Sequence, residues 1–593
     1  MPVSAIRIFF LISAWLVAVF LGITFSQQHR TDPEPGDEFR AGAGAFQGND
    51  GNNPAKLPIP VLARLAAENL INVSGHIYDA SGPVSGALVR VHSQSISTTS
   101  AEDGYFHLEQ LSGSETLAIT TWAPGYYNQY TELPIGADNI LQIQIEPYTL
   151  ADNTEYEWLS ANVTAGQERN CVSCHSDPEH PEQHLAFDDW NKSAHAQSAT
   201  NPLFLSLYQG SDLDGNISPA TRYGNSQDYG HFPLPPDHSK AYYGPGYKLD
   251  FPQTDGNCAT CHTPYAAVND PYGINPLQVN SIANEGVGCD YCHKIKGVVL
   301  NHQSMPVDGN PGVLSYQLAR PEPERNLFLG SFDDMAPGDD SFSPLYRQGQ
   351  ICAGCHYGKF WDVVVYNSYG EWLLSDYSNP RTGKSCQQCH MPSGLTDRVV
   401  KLDSGGKLRD PDRIHSHQFI GGEDSEFLRS AATMEMSTQR IRKNIEVSIV
   451  IKNKNAGHHF PTGSPLRHLI LVVEAIDQDG RRLTQLSGKQ TPEWTGEYAG
   501  KAGTAYAKVL EELWTGIYPT AAFWNQTTVR SDNRIPARGQ DLQTFQFLGP
   551  EQGDVTISAT LLYRRSYEAL RKTKKWPKQD FVLSEASMNL ERL

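Results

Sequence analysis

The chain has 593 residues, with 47 Lys and Arg against 66 Asp and Glu and a formal net charge of −19. Its length allows three or four domains. The acidic balance argues against nucleic acid, which wants a basic surface, and it favours a well-solvated surface with some tendency to dock on basic partners.

The chain opens on Ile6-Arg7-Ile8 and an uncharged run over residues 8–25. At about 1.5 Å per residue the run would span roughly 27 Å, close to one bilayer core. It exceeds a signal-peptide core, and no small-residue cleavage site follows. The pattern predicts an uncleaved signal-anchor, a transmembrane segment over 1–27, with a cleaved secretory signal as the alternative. On either reading the body of the chain crosses the membrane. The expected location is the inner membrane, facing the periplasm or the extracellular side. Residues 28–68, with Asp32-Pro33-Glu34-Pro35-Gly36-Asp37, read as a flexible linker unable to bury a core.

Residues 69–149 carry a β pattern. Short alternating runs such as Ile71-Asn72-Val73-Ser74 and Leu88-Val89-Arg90-Val91 are split by turn signals at Ala80-Ser81-Gly82-Pro83 and Glu102-Asp103-Gly104. They predict a small sandwich. The segments Gly82-Pro83-Val84-Ser85-Gly86-Ala87 and Glu102-Asp103-Gly104-Tyr105-Phe106 resemble the carboxypeptidase regulatory-like β-sandwich, which implies a spacer or docking module. His76, His92 and His107 read as surface or structural histidines.

Residues 150–434 hold all ten cysteines, in five Cys-x-x-Cys-His motifs. They are Cys171/Cys174/His175, Cys258/Cys261/His262, Cys289/Cys292/His293, Cys352/Cys355/His356 and Cys386/Cys389/His390. This spacing is the attachment signal for c-type haem. Each thiol adds to a vinyl group, and the next residue, His, binds the iron. The expected cofactors are five covalently bound c-type haems. Zinc sites, thioredoxin-like redox pairs and disulfides are the alternatives. Zinc needs no His after the second Cys, an odd number of pairs leaves one unmatched, and disulfides would not repeat one local spacing. The stretch 201–344 is dense in Pro, Gly, Asn and Tyr. It reads as irregular, with haem replacing a side-chain core and short helices carrying the motifs. From 435 to 593 alternation returns, as in Ile445, Val447, Ile449 and Ile451, and predicts a second β-sandwich. The fold class is therefore multidomain: a β-sandwich, a low-regularity, mainly α and loop haem region, and a C-terminal β-sandwich.

An electron-carrying haem usually holds a second protein ligand, His or Met. Three groups of residues resemble the cytochrome c554/c′-type multihaem family over about 165–593. The first is Trp190-Asn191-Lys192-Ser193-Ala194-His195. The second is His415-Ser416-His417-Gln418-Phe419. The third is Gly457-His458-His459-Phe460-Pro461-Thr462-Gly463. The resemblance implies that His195, His417 and His458 are distal ligands, with His459 and His415 as adjacent alternatives. Relatives of that type often carry a His just before the fourth motif, whereas this chain reads Asp339-Asp340-Ser341-Phe342 there. One haem would then use His302, His238 or Met335, or no protein ligand.

The leading expectation is a membrane-anchored electron carrier between a respiratory complex and a periplasmic or extracellular acceptor. Its partners would be redox proteins and the membrane, with no nucleic acid, no implied small-molecule substrate and no catalytic residue. A multihaem oxidoreductase with one open iron is the first alternative, and a haem-lined filament the second.

Overall fold

The computed structural model describes residues 71–111, 116–134, 140–167, 169–323, 325–335, 338–578 and 580–591. All belong to one unit, Glu68–Leu593. The expected anchor needs correction. Among the described residues no helix is long and apolar enough to cross a membrane. The longest, Pro202–Gln209, has 8 residues and reaches about 12 Å, against the ~30 Å of a bilayer core. Residues 8–25 and the linker 28–68 lie outside the described residues. Membrane anchoring, and the inner-membrane location built on it, is not shown.

Two four-stranded sheets face each other at the start of the described chain. In the first, Ile71–Asp79 pairs antiparallel with Gly82–Pro83 and Tyr105–Leu111, and parallel with Ile140–Gln144. The second runs Ser97–Thr99, Leu88–Val91, Thr116–Trp122, Gln129–Pro134, all antiparallel. Alternation along the strands sends Val73, Ile77, Val89, Phe106 and Ile119 into a shared core. Polar contacts tie this pair of sheets to the motif-bearing region. Arg90 pairs with Asp333 at 3.1 Å, Trp122 Nε1 donates to Ser341 Oγ at 3.2 Å, and Asn128 N donates to Asp340 O at 2.8 Å.

Between 150 and 431 the elements are small. Helices are four to eight residues long. The strands occur in pairs such as Ile295–Val298 with Tyr316–Leu318 and Gly358–Phe360 with Val363–Tyr366. The region is too sparsely helical to be mainly α. Among the motif helices Cys386–His390 opens on a capping box, formed by Ser385 and Gln388, whereas Val172–His175, Ala259–His262 and Cys289–Cys292 start without a side-chain cap.

The last third forms two further four-stranded sheets. One runs Ala432–Ile441, Asn444–Asn453, Gln540–Leu548, Gln485–Ser487. The other runs Gly503–Tyr506, His468–Asp477, Val555–Arg564, Asp580–Leu590. In Asn444–Asn453 burial alternates strictly, with Ile445, Val447, Ile449 and Ile451 fully buried. Each such side chain contributes about 1.5–3 kcal/mol of apolar burial. The strand His468–Asp477 is buried on both faces for most of its length. Ile470 and Val472 pack outward with Leu562 in a second, smaller cluster.

Candidate cofactor site

No two of the ten cysteines are joined as a disulfide, so the disulfide reading finds no pair. Among the described residues no group of three or more His, Cys, Asp or Glu could hold a metal ion between them, which leaves the zinc reading without a site.

The motif histidines are oriented from behind. The Nδ1 of His175 meets Val399 O at 2.8 Å, that of His262 meets Ser198 O at 3.1 Å, that of His293 meets Leu329 O at 2.7 Å, and that of His390 meets Ile420 O at 2.6 Å. A carbonyl on Nδ1 fixes the tautomer and leaves Nε2 free to bind a metal. His356 makes no such side-chain bond among the described residues.

Three distal candidates face three motif histidines. The rings of His417 and His293 have centroids 6.5 Å apart and planes 26° apart. Those of His458 and His390 are 6.2 Å and 19° apart, and those of His195 and His356 are 6.2 Å and 82° apart. Two metal–nitrogen bonds of about 2 Å, plus an imidazole radius on each side, add to roughly 6.3 Å. The residues thus fit an iron held between two imidazoles. Burial pushes His195 and His458 down to about 4, and His417 to about 3. All three are neutral at pH 7, the form that ligates metal.

Local structure explains how distant residues reach these positions. His195 O accepts from Val287 N at 3.0 Å, which lays the segment before Cys289 against it. Gly286 is required there: its φ is +64°, and a Cβ would come within 2.4 Å of His195 O. His417 sits on a segment strapped to the fifth motif by Ser416 N to Pro392 O, 2.9 Å, and Ile420 N to His390 O, 3.0 Å. His458 is held by its loop. Asn453 Nδ2 donates to His458 O at 2.8 Å, Ser375 Oγ donates to Gly457 O at 2.8 Å, and Phe460 and Ile535 exchange backbone bonds. Arg534 Nη1 donates to Glu371 Oε1 at 2.8 Å, and Thr462 Oγ1 donates to Glu371 Oε2 at 2.5 Å, which anchors the loop to the helix Ser368–Leu373.

The adjacent alternatives point elsewhere. His459 lies 3.6 Å from Glu371, and His415 Nδ1 meets Met391 O at 2.7 Å. His302 is exposed on the turn after Asn301, and His238 packs edge-on to Tyr243 at 4.5 Å. Neither makes a ring contact with a motif histidine. Among the described residues no imidazole faces His175 or His262 at the spacing of the other three pairs. The ring of His262 instead stacks on Phe204, 3.6 Å and 3° apart, and Tyr346 stacks on His293 at 5.7 Å. Neither aromatic carries a sequence signal, because both reach the motif from remote segments. The four carbonyls behind the histidines carry none either, being backbone.

The motifs also approach one another. Cys171 lies beside Cys289, Cys261 beside Cys355, and Cys352 beside Cys386. Cys292 lies in the electrostatic neighbourhood of Cys352 and Cys355. These thiols stand where thioether sulfurs would be. The resulting order is first motif to third, third to fourth, and fourth to both second and fifth. Cys258 packs beside the cluster of Tyr208, Tyr247 and Trp524, and Cys389 lies near Cys386 and Lys384.

Among the described residues the side chains of Cys174, Cys258 and Cys389 meet no cysteine of another motif, and that of Cys174 makes no hydrogen bond. Only its backbone is engaged, with Cys174 O accepting from Lys401 N at 3.0 Å and Cys174 N donating to Cys171 O at 3.3 Å. Haem attachment at all ten cysteines rests on the motif spacing.

No family model matches the chain. It is 29% identical over 198 residues to the dissimilatory sulfite reductase MccA of Wolinella succinogenes, a match covering 25% of this chain and 26% of that protein. The chain spans about a quarter of the length of the curated relative it matches. A penta-heme cytochrome c552 from Thermochromatium tepidum superposes with a TM-score of 0.48 at 19% identity, covering 71% of this chain and 97% of the other. The motifs and the iron-sized gaps support a multihaem c-type cytochrome with electron-transfer or oxidoreductase function.

Proposed function

We propose that the chain is an electron carrier with five covalent c-type haems, one on each cysteine pair. The motif histidines supply one axial ligand each. His417, His458 and His195 supply the second for the haems of His293, His390 and His356. The haem brings one-electron redox chemistry. The chain sets spacing, ligation and burial, and passes electrons between redox partner proteins. The observation that carries this reading is the contact between cysteines of different motifs. It would bring haem edges together, so that electrons move along the chain without leaving it.

A second reading is an oxidoreductase with an accessible iron. It is favoured by His175 and His262, which face no second imidazole, and by the partial match to a protein described as a dissimilatory sulfite reductase. A pyridine haemochrome assay with whole-protein mass tests the common ground, with five haems expected per chain. An apoprotein mass would overturn both readings. Electronic spectra separate them. Low-spin haem throughout, indifferent to added cyanide or sulfite, supports the carrier. A high-spin component that binds such ligands and turns over supports the enzyme.

A further inference from the structure

The three facing histidine pairs differ in two respects that both act on iron. The first is hydrogen bonding at Nδ1. In the pair His390/His458 both rings meet a carbonyl, Ile420 O at 2.6 Å and His459 O at 2.8 Å. In the pair His293/His417 the first meets Leu329 O at 2.7 Å, and the backbone of His415 lies beside the second. The pair His195/His356 has neither. The Nδ1 of His195 is buried without a partner, and its neighbour is Phe419, edge to face at 4.3 Å. His356 makes no side-chain hydrogen bond among the described residues. An N–H donated to a carbonyl pushes electron density into the ring and makes it a stronger donor, which favours ferric iron and lowers the potential. A ring without that bond is a weaker donor.

The second respect is ring orientation. Two pairs are near parallel, at 26° and 19°, and the third is crossed at 82°. Parallel imidazoles donate into one iron d orbital and split it from its partner. Crossed imidazoles donate into both equally and leave them nearly degenerate. Near-degeneracy gives ferric iron a strongly anisotropic paramagnetic signature with one very large g-value, and it favours the ferrous state. The cation Arg467, within electrostatic reach of His356, acts in the same direction.

We propose that His195 and His356, through crossed rings and the unbonded Nδ1 of His195, hold their haem at the highest potential of the three bis-histidine sites. The proposal rests on the five-haem electron-carrier reading and deepens it. Cys352 and Cys355 lie beside Cys386, Cys261 and Cys292, so this site is the junction of the motif order. Electrons arriving by any branch would collect at the junction, and each branch would draw on one shared store.

The test is low-temperature electron paramagnetic resonance of the oxidised holoprotein under potentiometric titration. One large-g low-spin signal is expected beside rhombic ones. It should disappear first among the bis-histidine signals as the potential is lowered. His195→Ala should abolish it and spare the rhombic signals. His417→Ala should remove a rhombic signal and spare the large-g one. Phe419→Asn, which sets a hydrogen-bonding amide beside the His195 ring, should shift the large-g component to lower potential. Absence of a large-g signal in the unaltered protein, its survival in His195→Ala, its disappearance last, or an unshifted potential in Phe419→Asn would overturn the proposal. These outcomes leave the covalent haem count at five. A lower count would instead overturn the reading beneath it.

Discussion

Asp290 and Lys294 form an ion pair in which neither side chain has any exposed surface. Asp290 is the first intervening residue of the third motif, and Lys294 follows its histidine directly. The carboxylate also accepts from Leu159 N at 2.8 Å and Tyr156 OH at 3.1 Å, which ties an upstream segment to the motif helix. Burial pulls the Lys294 pKa down, opposed by Asp290.

Removing one partner of such a pair strands the other. Asp290→Ala should cost about 3–5 kcal/mol, read as a lower thermal midpoint of the holoprotein by circular dichroism. The double variant Asp290→Leu with Lys294→Met, which strands no charge, should recover most of the loss. Equal destabilisation by both would show that the pair's worth lies in its hydrogen bonds to 156–159 and not in charge compensation.

His458→Ala should convert one haem from low-spin to high-spin and leave the covalent count at five, because the two thioethers of the fifth motif do not depend on it. His459→Ala should leave the spectrum as it is in the unaltered protein, since His459 faces Glu371 and not His390. The opposite pattern in the two variants would exchange the roles of these neighbours.

Attachment chemistry was legible because each cysteine motif is local: five residues state it completely. The alternation of Asn444–Asn453 was legible for the same reason, since a period of two is a property of neighbouring residues. Which distal histidine faces which motif was not. His195 lies close in sequence to the first motif, yet it faces His356. The choice depends on Val287 and Gly286 closing over its carbonyl. The parallel pairing of Ile140–Gln144 with Ile71–Asp79 was equally hidden, because a parallel neighbour leaves no turn signal between the strands. The difference between Cys171, which meets Cys289, and Cys174, which meets no other motif, was hidden too. Both belong to one motif, and only the spatial order of the motifs separates them. The short helices of the motif region replace the helical content expected there. A chain whose apolar contacts go to a cofactor needs no long amphipathic faces.

Asp340 makes stability fall with rising pH. Burial, reinforced by Asp339, pushes its carboxyl up to about 7, with Lys294 opposing. The folded chain therefore holds a proton that the unfolded chain releases near its ordinary value of about 4. Its contribution is complete below pH 4 and is lost as pH rises through 7, by about 2–4 kcal/mol. Asp340→Asn should flatten the dependence of the thermal midpoint between pH 5 and pH 8 and raise the midpoint at pH 8. An unchanged slope would assign that pH dependence to other groups.

Lys574 joins the end of the chain to the second motif. It is fully buried, and its Nζ donates to Ser206 O at 2.9 Å, Ser211 O at 2.9 Å and Pro245 O at 2.5 Å. Trp576 Nε1 adds a bond to Ser206 Oγ at 3.0 Å. The helix so pinned, Pro202–Gln209, carries the Phe204 ring that stacks on His262. Lys574→Met keeps the stem and takes the donor from Ser211 O and Pro245 O, while Ser206 O keeps the amides of Gly210 and Ser211. At about 1–3 kcal/mol for each buried group left unpaired, partly relieved by relaxation, it should cost about 3 kcal/mol. It should also perturb the haem of His262 before that of His390, visible as a change in one midpoint potential out of five. Lys575→Ala removes pairs with the exposed Asp214 and with the buried Asp212, which keeps Asn216 as a partner, and should change stability by about 1 kcal/mol. Equal effects from the two variants would show that the two carbonyls find water when the amine is gone, and that this helix is held by its apolar face alone.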